Sequence, residues 1–342
     1  MNVSDIPYLG LDIGGAHLKI VGLDKNKKIR IVSQHKTPVW ESILRLNKSL
    51  DFLNNFNNKT LCAITMTAEL CDNFKTRKNG VNKIANLLKG LSLQKFFFTN
   101  EKQIFTQNPK SSTTASMNWY ATGKFISTMI SEALIIDFGS TTTDLILIKN
   151  NTVKNKFFDD FTRLTNHELV YTGFTRTSLA GLSNEIEIKN KNYQVIPEFF
   201  SRTSDLYNVK ELMKNNMDLY PTCDGGGRTK KDSLRRIARN FGFDLNNSNE
   251  KFVKTICEKL IFCQLNKIFT AAELLLKRNN CSTKITLIPC GIGKTALINF
   301  AKNKYRIKNF EDLITGNSSK KKLASYHAPA TACAFLISDL NL

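Results

Sequence analysis

One pattern occurs twice in this chain, and it constrains the fold more than any other feature. The segment GLDIGGAHLKIVGLDKNKKIRI starts at Gly10, and IDFGSTTTDLILIKNNTVKNK starts at Ile136. Each reads as strand, Asp-x-Gly-small turn, strand, polar turn, strand. The apolar runs are 8–12, 18–23 and 29–34 in the first copy, and 133–137, 144–148 and 153–157 in the second. The strand-ending aspartates, Asp12 and Asp137, stand 125 positions apart, a separation that suits one duplicated α/β lobe. A single Asp-x-Gly-Gly is most simply a tight hairpin. Two copies in matching contexts point instead to a phosphate site. The carboxylate can hold Mg²⁺ directly or through water, and small residues let backbone N–H groups approach phosphate oxygens. Two such hairpins face to face would clamp a polyphosphate, with Lys19 reaching it as a point charge.

The remaining segments fill out two α/β lobes, 1–126 and 127–342. In the first, a helix is expected over 41–53, a buried strand over 60–66, a helix over 81–88, a strand over 95–98 and the start of a helix over 115–121. In the second, 158–247 is irregular and rich in polar and aromatic residues, which reads as an insertion. A long helix follows over Glu250–Arg278, with Ser248 as its expected cap. A strand at 284–288 runs into Pro289-Cys290-Gly291-Ile292-Gly293, then a helix over 295–302; a small-residued apolar helix over 329–340 ends the pattern. The Gly291-Ile292-Gly293-Lys294-Thr295 turn fails the Walker pattern, because Ile288 stands where its first glycine belongs. It matches the weak G-x-G-x-x-A dinucleotide signal, but too few residues follow for a dinucleotide domain. A glycine turn beside a nucleotide or substrate fits better.

Composition narrows the functional classes. With 42% hydrophobic and 23% charged residues, the chain is not disordered over most of its length. It carries 49 Lys and Arg against 29 Asp and Glu, a net +20. That balance admits a nucleic-acid partner, but the charge is dispersed and no zinc-finger, RNP or basic-zipper pattern accompanies it, so none is expected. An anionic small-molecule substrate needs only local positive charge. No apolar run is long enough to span a bilayer, and the start shows no signal-peptide pattern, so a cytoplasmic, membrane-free protein is expected. The eight cysteines form no C-x-x-C and are read as reduced thiols.

These motifs carry a resemblance. Asp-x-Gly hairpins in both halves, followed by a late strand–Gly-x-Gly–helix, resemble the superfamily of actin, sugar kinases and chaperone ATPases, with Lys19 where the actin branch has its phosphate lysine. The chain is more similar to the hydantoinase/oxoprolinase-like branch, and within it to the aminomethylfuran–tyramine synthase family of methanofuran biosynthesis. The matching segments include GLDIGGAHLK (10–19), AITMTAELCDNF (63–74), IDFGSTTTDL (136–145), ELVYTGFTRT (168–177), PEFFSRTSDLY (197–207), CDGGGRTKKDSLRRIARNFG (223–242), GIGK (291–294) and HAPATACA (327–334). The chain departs from the family at Ala68, where a glycine is expected, and at Asp224-Gly225-Gly226-Gly227-Arg228, where a shorter Asp-Gly-Arg is expected.

The resemblance implies a duplicated actin-like, ribonuclease H-like α/β fold with an insertion in the second lobe. It implies a transferase that joins an aminomethylfuran-methyl diphosphate to the phenol of tyramine or γ-glutamyltyramine and releases diphosphate. Asp12 and Asp137 would hold Mg²⁺ or its water. Gly14, Gly15, Lys19, Gly139, Ser140, Thr141, Thr142, Gly291 and Gly293 would lie against phosphates. Glu198, Asp205 and Asp224 are candidates for exposing the phenolate or pairing with substrate amines. Glu168, Tyr171, Arg176 and Arg228 complete the expected substrate site, Arg176 holding either diphosphate or a γ-glutamyl carboxylate. Each has a plainer reading: Glu198 as a surface carboxylate, Arg176 and Asp205 as an internal ion pair, Glu168–Tyr171 as a strand, and His17 and His327 as structural histidines. Two other functions compete. One is an ATP-dependent hydrolase or kinase, which would consume ATP as cosubstrate; the other is a non-catalytic ATP sensor whose basic surface binds a partner.

Overall fold

The computed structural model describes residues 5–214 and 217–340, so the first four residues of the lobe expected over 1–126, and the last two of that over 127–342, lie outside the described residues. The first repeat forms an antiparallel meander of β1 (Tyr8–Ile13), β2 (His17–Leu23) and β3 (Ile29–Lys36). The chain then crosses over to β4 (Leu61–Met66) and β5 (Gln94–Phe98), which join on the other side of β1 in parallel, and a short β6 (Phe105–Thr106) closes the edge. The sheet order is β3-β2-β1-β4-β5-β6. The second repeat rebuilds the same plan from β7 (Glu132–Phe138), β8 (Thr143–Lys149), β9 (Thr152–Val153) and β10 (Leu169–Val170). After the two-stranded hairpin of β11 (Glu185–Ile188) and β12 (Lys191–Gln194), the parallel strands β13 (Thr286–Cys290) and β14 (Arg306–Ile307) complete the order β10-β8-β7-β13-β14. Three antiparallel strands and then parallel crossovers, made twice, constitute the duplicated actin-like, ribonuclease H-like fold.

The apolar runs become strands because they alternate between two buried faces. Leu9, Leu11 and Ile13 pack into the core under the helix Arg77–Leu88. The opposite face of β1 carries Gly10 and Asp12. It meets the helix Ala328–Ser338, which packs across β1, β2 and β4 and against the helix Asn118–Ser127. These two helices fill a core that draws on both sheets, Val21 and Ala63 from one and Ile135 and Ile146 from the other. A Cβ on Gly10 would lie 1.9 Å from the Ala330 carbonyl oxygen, so only glycine admits this approach.

Several local expectations shift. The helix expected over 41–53 is an α-helix over Ile43–Leu50, capped by Ser42, that tightens into a 3-10 turn over Asp51–Asn55. The long helix Glu250–Arg278 starts after Asn249; Ser248 instead bonds to the Asn246 side chain, which competes for its hydroxyl and its N–H. The strand expected over 153–157 stops at Val153, because Asn155 turns inward to bond the Leu147 N–H and the Leu145 carbonyl. The insertion is more ordered than its composition suggests. Besides the β11–β12 hairpin it holds the helices Thr203–Val209 and Lys230–Arg239, packed on the long helix around Leu206, Leu234, Ile237 and Ile256. All eight cysteines are free thiols. Among the described residues, no helix is long and apolar enough to cross a membrane.

Candidate active site

The two Asp-x-Gly turns close with the same hydrogen bond. Two positions after each aspartate a glycine N–H donates to the carbonyl five positions after it: Gly14 to His17 at 2.9 Å and Gly139 to Thr142 at 3.0 Å. Both turns open onto one cleft of about 500 Å³, lined by Asp12, Gly14, Gly15 and Lys19 from the first and by Asp137 and Gly139–Thr142 from the second. The Gly15 N–H and the hydroxyls of Ser140, Thr141 and Thr142 make this end of the cleft a cradle for anionic oxygens, with Gly14 and Gly139 shaping the turns that present them.

The copies differ at one register position, and the difference sets the electrostatics. Asp12 lies opposite Lys19 on β2, and the ammonium donates to its carboxylate at 2.9 Å. Burial works against the charge on Lys19, but Asp12 outweighs it and holds the ammonium protonated. In the second copy Asp137 lies opposite another acid, Asp144. Burial and the Asp144 charge push Asp137 up to about 7. Asp144 in turn pairs with Arg163 at 2.8 Å, and that guanidinium lies flat on Trp119, 4.1 Å from the ring centre. One Asp12 carboxylate oxygen, Oδ1, is buried without a partner among the described residues.

Aromatic side chains also line the cleft and come from both halves of the chain: Trp40, which follows β3, and Tyr171 from the insertion, where Arg176 also lies. Tyr220, further along the insertion, is buried and packs against Trp40 with ring centres 5.3 Å apart. The Arg176 guanidinium lies over Trp40 at 4.4 Å and over Tyr220 at 5.3 Å, and it pairs with no carboxylate among the described residues. Its backbone N–H donates to the Ser140 carbonyl at 3.1 Å, which fixes it beside the second hairpin. The Tyr220 hydroxyl donates to the Ala16 carbonyl and its ring meets the edge of His17, so the insertion reaches across to the first hairpin. His17 and His327 are buried and held down to about 3, so both rings are neutral near pH 7.

Of the residues singled out from sequence, Asp12, Gly14, Gly15, Lys19, Asp137, Gly139, Ser140, Thr141, Thr142, Tyr171 and Arg176 all line this cleft. Others are placed elsewhere and are corrected here. Glu198 is exposed on the insertion. Asp205 does not pair with Arg176; it takes two bonds from Arg236, one from Ser233, and caps its own helix at the Arg202 N–H. Glu168 is buried in an ion pair with Arg278, and only Leu169–Val170 of the segment around it forms a strand. Asp224 shapes its own loop and pairs with Arg236. Arg228 bonds the Asp218 and Tyr220 carbonyls, and so supports the loop that presents Tyr220. Gly291 and Gly293 serve close packing: a Cβ on Gly291, at φ +78, would fall 2.4 Å from an Asp137 oxygen, and one on Gly293 2.3 Å from the Phe138 ring. Lys294 is bound to Glu311 and to Ser325. The sequence reading missed Trp40, Tyr220, Glu69 and Ser116. Only Glu69 carried a signal, inside the quoted TAEL segment.

The chain is similar to curated proteins that share one name, "(4-{4-[2-(gamma-L-glutamylamino)ethyl]phenoxymethyl}furan-2-yl)methanamine synthase". The protein from Methanocaldococcus jannaschii is 31% identical over 299 residues, covering 85% of this chain and 88% of that protein. The protein from Methanococcus vannielii is 37% identical over 125 residues, 36% of this chain and 55% of that one. Among solved structures, a ROK family glucokinase from Streptomyces griseus in complex with glucose and AMPPNP is 13% identical, covering 96% of this chain and 98% of that one with a TM-score of 0.45. The family model described as hydantoinase/oxoprolinase matches residues 61–337. The chain belongs to the hydantoinase/oxoprolinase family.

Proposed function

We propose that this protein is a transferase of methanofuran biosynthesis. It joins an aminomethylfuran-methyl diphosphate to the phenol oxygen of tyramine or γ-glutamyltyramine, with diphosphate as the leaving group. The observation that carries this reading is the division of one cleft into an anion cradle and an aromatic wall. The printed name of the methanogen relatives, a phenoxymethyl-furan methanamine synthase, supports the same chemistry.

The furan ring spreads positive charge at its methylene, so carbon–oxygen cleavage runs ahead of attack. The site must then stabilise the negative charge gathering on diphosphate. Lys19 supplies a cation whose protonation is secured by Asp12. The Gly15 backbone and the Ser140–Thr142 hydroxyls supply oriented donors, on turns that the Gly14 and Gly139 N–H groups hold closed. Arg176 supplies a second cation that no carboxylate occupies among the described residues, and Trp40 and Tyr171 offer aromatic faces at the cleft. Asp12 and Asp137 also fit a magnesium ion. Both are hard oxygen donors, Asp12 has an unpartnered buried oxygen, and one or two carboxylates beside phosphate oxygens are a set that Mg²⁺ accepts. When bound there, the ion would neutralise diphosphate charge.

The test is a paired product assay. Purified protein with Mg²⁺ receives the aminomethylfuran-methyl diphosphate and tyramine or γ-glutamyltyramine in one series, and ATP with the same acceptors in another. The expected outcome is diphosphate release matched by a phenolic ether, without ATP. ATP-dependent phosphate release without ether would replace the transferase with an ATP-dependent hydrolase or kinase.

A further inference from the structure

With Glu198, Asp205 and Asp224 away from the cleft, the acceptor phenol needs another base. The end of β4 offers one. Ala115 bridges to Met66, the last residue of β4, and the Ser116 N–H donates to the Met66 carbonyl at 3.2 Å. Met66 itself pairs with Ile13, next to Asp12. This contact brings Ser116 to the lining of the cleft, one strand away from the first hairpin. Ser116 holds φ +55, a left-handed backbone that a non-glycine residue adopts at a cost of about 1–3 kcal/mol. In that conformation its hydroxyl donates to Glu69 Oε1 at 2.8 Å. Glu69 is only 1% exposed, and its second oxygen, Oε2, has no partner among the described residues. Helix Arg77–Leu88 packs directly on it: a Cβ on Gly80 would lie 2.6 Å from the Glu69 carbonyl oxygen.

We infer that Ser116 and Glu69 form a proton relay that removes the phenol proton of the acceptor. The inference rests on the transferase reading. A serine hydroxyl has one donor and two lone pairs. Glu69 takes the donor and orients it, which leaves a lone pair toward the cleft for the phenol O–H. As the phenol oxygen bonds to the furan methylene, its proton passes to Ser116 Oγ and the Ser116 proton passes to Glu69 Oε1. The carbon–oxygen bond to diphosphate breaks and that electron pair leaves with diphosphate. Glu69 afterwards returns the proton through Ser116 to the cleft. Ser116 touches the acceptor, and Glu69 acts through it. Burial, opposed by the Ser116 bond, brings Glu69 up to about 7, where it can both take and give a proton. Three charged or titratable groups face it: Arg77 on the packing helix, Asp160 on the helix Asp160–Thr165, and Cys71.

The experiment measures ether formation by Ser116→Ala and Glu69→Gln proteins across pH. Each variant is assayed with tyramine and with a ring-fluorinated tyramine, whose phenol is more acidic. Inorganic diphosphate binding, read by calorimetry, reports whether the cleft is intact. The relay predicts a loss of roughly 10²-fold with tyramine in both variants. It also predicts loss of the wild-type rise in rate through about pH 7, partial recovery with the fluorinated acceptor, and unchanged diphosphate affinity. Rates within twofold of wild type would overturn it, as would equal losses on both acceptors or a parallel loss of diphosphate binding. Failure of the unsubstituted protein to make any ether sinks the transferase reading itself, and is told apart because no substitution is involved.

Discussion

Lys19 and Asp144 occupy the same place in the two copies of the hairpin, and the polarity of the cleft follows from that exchange. Removing Lys19 strands a buried carboxylate. Lys19→Met is expected to lose about 3 kcal/mol in urea unfolding and roughly 10²-fold in turnover. Adding Asp12→Asn to it should restore most of the stability and none of the turnover. Glu69 makes a separate prediction. Its folded-state pKa is raised from 4.5 to about 7, so between these values the native state binds more protons than the unfolded one. Native stability from this group therefore falls as pH rises through that window. Glu69→Gln should unfold near the wild-type temperature at pH 4.5 and gain progressively up to pH 7.5, by about 3 kcal/mol at most. Thermal melts across that range check it; a gain that shrinks with pH would refute the buried charge.

At the scale of elements, the seat of the C-terminal helix on β1 depends on the absence of one side chain. Gly10→Ala places a methyl group inside the Ala330 carbonyl contact. It is expected to cost about 3 kcal/mol, far more than its small volume suggests, with unfolding in denaturant as the measure. Much of the architecture at this scale was legible from residue pattern. The repeated strand–turn–strand carries its own periodicity, and the small-residued apolar run over 329–340 suits a tightly packed helix. Carboxylate roles were not legible in the same way. A residue type does not name its partner: Asp205 becomes structural only because Arg236, on a different helix, turns back onto it. Trp40 and Tyr220 were missed for a related reason. They lie in different halves of the sequence, and only the fold packs their rings together with Arg176 over both. Departures at 153–157 and at Ser248 came from Asn155 and Asn246, short amides that capture backbone or hydroxyl groups locally.

Across the whole molecule, Tyr220 ties the insertion to the first hairpin through the Ala16 carbonyl. Tyr220→Phe removes one hydrogen bond and should cost about 1 kcal/mol while keeping the ring that faces Trp40. Tyr220→Ala removes both, and should raise the acceptor KM roughly tenfold and speed hydrogen exchange at Ala16 and His17. Equal behaviour of the two variants would mean that the hydroxyl, not the ring, does all the work. The helix that covers Gly10 bears on how the chain is made. Strand β1 leaves the ribosome well before its partner, since the surface that fits against Gly10 is encoded about 320 residues later. At about 5–20 residues per second, that is roughly 15–60 s of waiting. During synthesis the face of β1 bearing Gly10 and Asp12 must stay open, so the earlier-made sheet can finish only when the helix Ala328–Ser338 arrives.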